Sequence, residues 1–392
     1  MEQKKEKRIF FKGLNELRAI AALAVVFHHI ELYKRMGELS SLLDISYFSY
    51  FISTIGKNGV YLFFVLSGFL ITYLLFAEQE KYNKINVKDF YVRRVLRIWP
   101  LYYMIVFLSF FIVPLLPDLL PFLNGETSYM SRINVISDSF YFKLGLFLVF
   151  FSHIALSFGY YIAGASQTWS VSVEEQFYLF WPILLKVFKK NIIYVAICII
   201  IFRPLGVKSL NYLINHYPIF DFKLFRYLLI YFQTFPVHFM CIGALFAYLF
   251  YYHKELVLRL FSYKIIIFGL YVSTVVLLFY PIRILHHGLP VLFGGIILHV
   301  ITAKGVLENQ KTSLNFLGKI SYGIYMYHPI IMFLCFGFIN SLDIQNLLVY
   351  NILIYFSILS LTIGISYLSY TYFEKYFLNF KHKFSKVKSG NN

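Results

Sequence analysis

The chain has 392 residues, of which 59% are hydrophobic, 21% aromatic and only 14% charged, with a formal net charge of +17. Repeated apolar stretches of about 20 residues exclude a soluble globule and indicate an all-α polytopic membrane protein. The positive charge is better explained by Lys and Arg gathered on the cytoplasmic side of a membrane than by nucleic acid.

The first span, 14–33, is apolar yet carries Arg18, His28 and His29. Ionisable groups inside a span are costly, which makes them candidates for function. Eleven helical steps separate Arg18 from His29, about three turns and roughly 16 Å, so the two share a face while His28 points away. Further spans are predicted near 59–77, 99–117, 173–188, 191–206, 226–252, 264–281, 287–304, 320–339 and 347–374. Placing both termini in the cytoplasm puts most of the 36 Lys and Arg on the inside. That holds only if the apolar stretch 139–158 does not cross but is re-entrant or interfacial. The total is then ten spans, with Pro114, Pro117 and Pro121 breaking up the third. Cys198, Cys241 and Cys335 all lie in apolar stretches and give no disulfide framework or metal-ligand spacing.

In the second span, Ser67 and Gly68 let a neighbouring backbone approach, with helix 1 the expected partner. The segment Phe90–Pro100 follows on the cytoplasmic side. If helical, it brings Arg93, Arg94 and Arg97 within one turn of each other, a plausible clamp for phosphate oxygens. Anionic lipid headgroups would suit the same cluster. Ser172 and Glu175 form a capping-box pattern for the fourth span, which gives Glu175 a structural role and leaves Glu174 for chemistry. Tyr322, Tyr325 and His328 recur at three-residue spacing in the ninth span. His328 directly precedes Pro329, where it would bond a freed carbonyl. His238, His286, His287 and His299 read as structural.

In this order, the motifs resemble the acyltransferase-3 family of integral-membrane acyltransferases. The matching stretches are Leu17-Arg18 with His29, Gly59–Thr72, Tyr91–Tyr103, Trp169–Tyr178 with Ser170 and Glu174, and Leu317-Gly318 to His328-Pro329. The resemblance implies a single transmembrane acyltransferase domain over 1–378 and a short basic cytoplasmic tail at 379–392. It further implies O-acetylation of a surface polysaccharide or lipid-linked glycan in the bacterial inner membrane, with acetyl-CoA as donor and no metal. His29, Arg18 and Glu174 would be catalytic; Arg94 and Arg97, with Arg93 beside them, would hold the acyl-CoA. Glu175, Trp169, Ser170, Tyr322 and His328 are further site candidates. Two departures stand out. Asn15 replaces the usual acidic residue before Arg18, and His238 precedes the Gly243-Ala244 stripe where an arginine is common. Many relatives carry a C-terminal esterase-like domain, so a second transfer would here require a partner protein.

Two alternatives remain open at this point. One is acylation of a small hydrophobic or macrolide-type acceptor. The other is a proton-coupled transporter or flippase, against which counts that the sequence shows neither an inverted repeat nor paired broken helices.

Overall fold

The computed structural model describes residues 9–123, 139–217, 222–280, 288–303 and 312–384. It is 86% helical, and no strand occurs among the described residues. The principal helices are α1 (Leu14–Met36), α2 (Ser46–Tyr82), α3 (Val87–Phe107), α4 (Phe140–Leu148), α5 (Ser152–Ser157) and α6 (Trp169–Phe188). They continue with α7 (Ile192–His216), α8 (Lys223–Thr234), α9 (His238–Tyr252), α10 (Lys254–Leu260), α11 (Lys264–Phe279) and α12 (Leu289–Thr302). The last four are α13 (Ser313–Lys319), α14 (Ser321–Asn340), α15 (Leu347–Ser369) and α16 (Lys375–Lys381). His286, His287 and the end of the basic tail lie outside the described residues.

Among the described residues, five helical runs are long and apolar enough to cross a membrane, or up to seven if each of two bent pairs is counted as one span. Their outward faces are apolar, with Phe202, Ile265, Phe268, Ile352 and Phe356 all exposed, as suits a lipid-facing surface. The chain is a multi-pass membrane protein. The stretches expected as the fourth and fifth spans join through a 3-10 turn at Lys189–Asn191 into one helical run, Ser166–His216. The pairs α8–α9 and α10–α11 bend by 42° and 82°. Broken helices are therefore present, contrary to the expectation, although the two pairs follow one another in the chain.

The first predicted span is apolar but is not a lipid-facing helix. Its charges are buried against protein. Glu31 is fully buried and accepts hydrogen bonds from Lys34 (3.1 Å), from the Ser41 hydroxyl (2.8 Å) and from Tyr355. At the other end, buried Glu16 accepts from Asn315 (3.2 Å) and ties α1 to α13. These partners hold charges that lipid would not tolerate, although Oε2 of Glu16 is buried without a hydrogen bond.

Glycines set the helix spacing around α2. A Cβ on Gly59 would lie 2.7 Å from the Ala21 carbonyl of α1, and one on Gly56 would strike the ring of His28. Helices α1 and α2 therefore run antiparallel, with His28 beside Gly56. Gly68 does not face α1 as expected. Its missing side chain admits the Met240 carbonyl of α9, which a Cβ would meet at 2.0 Å. Gly243 of α9 reciprocates against the Val65 carbonyl at 2.1 Å. Two glycines facing each other across one interface allow an approach that neither sequence stretch reveals alone.

The segment Phe90–Pro100 belongs to α3 itself, which starts at Val87 and is capped by Asn86 accepting from the Asp89 amide (3.1 Å). The helix continues past Pro100, then loosens into a π turn at Leu108–Ile112 and 3-10 and short helical turns around Pro114, Pro117 and Pro121. The stretch 139–158 forms α4 and α5, of nine and six residues. At about 13 Å, α4 covers less than half of a bilayer core. It is fastened to α3 by the Tyr102 and Tyr103 hydroxyls, which donate to the carbonyls of Phe147 and Leu148.

Candidate active site

Helices α1, α2, α3, α6 and α14 enclose a cavity of about 100 Å³. Arg18 enters it from α1, Ser67 from α2, Arg94 and Arg97 from α3, and Ser170, Glu174 and Tyr178 from α6. Tyr322 and Tyr325 close it from α14. Three guanidinium groups thus meet one carboxylate among the lining residues. Unbalanced charge in a low-dielectric site is unfavourable by several kcal/mol per ion unless a ligand compensates it.

Each polar group is held by a particular contact. Arg18 donates to Asn15 (3.2 Å), so the amide that replaces the usual acid still positions the guanidinium. The Asn15 backbone in turn rests on Gly318, where a Cβ would meet the Asn15 carbonyl at 2.0 Å. Arg94 is 8% exposed and lies over the rings of Phe90 and Tyr178, and its Nε has no hydrogen-bond partner. Glu174 accepts from the Ser67 hydroxyl through one oxygen and from the Tyr178 hydroxyl through the other, both at 3.0 Å. Tyr322 donates to the Ile98 carbonyl (2.9 Å). Tyr325 donates to the Gln167 carbonyl (2.9 Å), which leaves its oxygen to accept from Ser170 (2.8 Å).

The expected capping box is absent. A 3-10 turn at Ser166–Thr168 starts the helix earlier, so Ser172 lies inside α6 and bonds Ser152 at 2.7 Å. Glu175 instead accepts from the Trp99 indole at 2.8 Å. The two adjacent glutamates are divided between cavity and scaffold, but packing rather than capping divides them. Arg93 also lies outside the arginine cavity. It pairs with Glu78 (3.2 Å) and donates to the Phe384 carbonyl (2.7 Å), fastening the C-terminal segment to α3. Trp169 faces a different cavity from its neighbour Ser170.

His29 does not line the arginine cavity. Its Nδ1 lies 2.8 Å from Nε2 of His328, with the two rings stacked. The structure supplies His328 as the partner that orients His29. Pro329 has no N–H, so the Tyr325 carbonyl four residues earlier loses its helical partner. Nδ1 of His328 lies 2.8 Å from that carbonyl and donates to it. With Nδ1 protonated, Nε2 of His328 must accept, and Nδ1 of His29 must donate. A neutral His29 therefore carries its lone pair on Nε2. His28 takes no part and bonds the Ile52 carbonyl at 2.6 Å. Tyr325 links the two centres, because it lines the arginine cavity while its ring packs beside His328.

Sequence reasoning missed Ser67 and Tyr178, the two groups that hold Glu174. Tyr178 was detectable four residues beyond Glu174 on the same helical face.

The profile of the acyltransferase-domain family matches residues 11–371. The chain belongs to the acyltransferase-3 family. Among relatives in this family, the peptidoglycan O-acetyltransferase OatA of Listeria monocytogenes is 33% identical over 184 residues, 47% of this chain and 25% of the relative. The putative peptidoglycan O-acetyltransferase YrhL of Bacillus subtilis is 30% identical over 187 residues, 48% and 25%. A putative O-acetyltransferase of Staphylococcus aureus strain COL is 26% identical over 404 aligned positions, 95% and 58%. The chain therefore matches between a quarter and about three fifths of the length of these acyltransferase-3 relatives. No solved structure matches.

Proposed function

We propose that the protein is an O-acyltransferase of the bacterial cytoplasmic membrane that moves an acetyl group from acetyl-CoA to a hydroxyl of an envelope glycan. The observation that carries this reading is the arrangement along α1. Arg18, Arg94, Arg97 and Glu174 gather in one cavity at one end of that helix, and His29 pairs with His328 eleven residues along it. In this reading both termini are cytoplasmic and the ten predicted stretches form the membrane domain. The arginine cavity then faces the donor side and His29 the acceptor side. The names of the relatives point to peptidoglycan as one acceptor of this class.

Arg94 and Arg97 engage the donor's phosphates, for which guanidinium forks are suited. Nε2 of His29 takes the proton from the acceptor hydroxyl as its oxygen attacks the acyl carbon. The C–S bond breaks, and the departing CoA thiolate recovers the proton from the His29 imidazolium. His328 holds the tautomer that makes this possible.

The test is O-acetyl content of isolated glycan, measured by NMR, in a strain lacking the gene and complemented with wild type or His29→Ala. The expected result is acetylation restored by wild type and absent with His29→Ala at equal membrane levels. Wild-type acetylation with His29→Ala would sink the catalytic assignment.

A further inference from the structure

A second and larger cavity, of about 430 Å³, lies on the other side of the α6 N-terminus. Its size falls within the roughly 300–1,000 Å³ of small-molecule sites. Lys57 and Tyr61 reach it from α2, His153 from α5, Trp169 from α6, Arg203 from α7 and His238 from α9. None of these residues takes part in the arginine cavity.

His153 is the feature that ordinary packing does not explain. It is 1% exposed, and neither ring nitrogen has a hydrogen-bond partner. Its ring packs among those of Phe151, Tyr231 and Phe235. A buried polar group left unpaired is unfavourable by about 1–3 kcal/mol, which a ligand would recover. A neutral imidazole offers one donor and one acceptor, the pair that a sugar hydroxyl needs.

The cavity's other walls match a sugar with a charge. Trp169 and Tyr61 supply aromatic surface for a pyranose ring. Arg203 is anchored by donating Nη2 to the Gln233 carbonyl (3.1 Å), and its Nε is buried without a partner. Lys57 stands exposed at the mouth, over the Tyr61 ring. Among the described residues no carboxylate lines this cavity to balance its cations. Its depth is also right. Because α1 and α2 are antiparallel with His28 at Gly56 and Ala21 at Gly59, Lys57 lies level with the His29 half of α1, Tyr61 near the middle of that helix and Ser67 with the Arg18 end.

We infer that this cavity is the acceptor subsite and that it takes a sugar bearing an anionic group, with His153 on a ring hydroxyl and Arg203 and Lys57 on the anion. The inference rests on the acyltransferase reading for the word acceptor, but the sugar site itself can be tested without it.

The experiment uses the whole protein in lipid nanodiscs and two probes, N-acetylmuramic acid and N-acetylglucosamine, which differ by one lactyl carboxylate. Saturation-transfer NMR titrations give the ratio of their affinities. The ratio is insensitive to a fraction of misfolded protein, which matters because Arg203 also supports the end of α8. Wild type is expected to prefer the acidic sugar by at least about tenfold, in line with charge-assisted hydrogen bonds. Arg203→Gln should bring the ratio close to one, and Lys57→Gln should lower it by a smaller factor because that residue is exposed. His153→Phe should weaken both sugars by about tenfold and leave the ratio alone. Equal affinity for the two probes in wild type, binding of neither, or a ratio unmoved by both Arg203→Gln and Lys57→Gln overturns the site. Transfer of labelled acetyl from acetyl-CoA to the same sugars separates the two claims. Selective binding without transfer sinks the acyltransferase reading and leaves the site standing, while transfer whose sugar preference ignores Arg203 and Lys57 does the reverse.

Discussion

The two cavities meet at the start of α6, where Ser170 faces one and Trp169 the other, yet they are built differently. The arginine cavity is small and charged, and most of its polar groups are already held by hydrogen bonds. Glu174 is fixed by Ser67 and Tyr178, Arg18 by Asn15, and Tyr325 by Gln167. The second cavity is about four times larger, and its His153 is unpaired. A pre-organised pocket suits a ligand that is the same in every turnover, such as a donor. A roomy pocket with unused donors suits a ligand held by a few added contacts. The His29–His328 pair is in the lining of neither.

The largest effect that tests this division is expected at the pair. His328→Phe removes the acceptor for the His29 N–H and frees the ring to adopt either tautomer. We expect kcat to fall by roughly 10²-fold, within the range of general-base contributions, with KM for donor and acceptor changing less than threefold. His328→Gln keeps an acceptor near the position of Nε2 and should recover about tenfold of the loss. Steady-state kinetics in nanodiscs reads both. A His328→Phe enzyme with unchanged kcat would reduce the pair to packing.

The pair also marks the limit of what the sequence reveals. Arg18 and Glu174 were legible because a charge in an apolar span has few bland explanations, and Arg94 and Arg97 because they fall one helical turn apart. The apolar spans and the broken third helix were legible for the same reason, since composition and proline act locally. What stayed hidden depends on which helices meet. His328 and His29 are 299 positions apart, and Gly68 needs Gly243 to make sense of it. The capping-box pattern at Ser172 misled because a local motif is silent when the helix starts a turn earlier. His153 and Arg203 sit in no recognisable motif, and only the cavity joins them.

A smaller effect is expected from the arginines, and it should separate Arg94 from Arg93. Arg94→Gln removes a guanidinium that faces the cavity and should raise donor KM by about 30-fold, the worth of a charge-assisted contact of about 2 kcal/mol. Its kcat should stay within about threefold. Arg93→Gln instead loses the Glu78 ion pair and the Phe384 tether. That variant should unfold at lower temperature with donor KM little changed. If both variants raise donor KM equally, the line drawn between the arginine cavity and the C-terminal tether is wrong.

The smallest effect concerns how Glu174 is held. Ser67→Ala deletes one of its two donors and leaves Tyr178 on the other oxygen. Losing one such hydrogen bond to a charged group is worth about 1–2 kcal/mol, so kcat/KM should fall by roughly 5- to 30-fold. Tyr178→Phe should act similarly, with an added donor-KM component because the Tyr178 ring also lies under Arg94. The double variant decides what the carboxylate does. If Glu174 works only when both oxygens are fixed, the first substitution already costs most of the activity and the second adds little, so the two effects fall well short of additive. Full additivity would mean that each donor acts independently. Glu174 would then balance the charge of the arginines, and its orientation would not matter to the chemistry at the far end of α1.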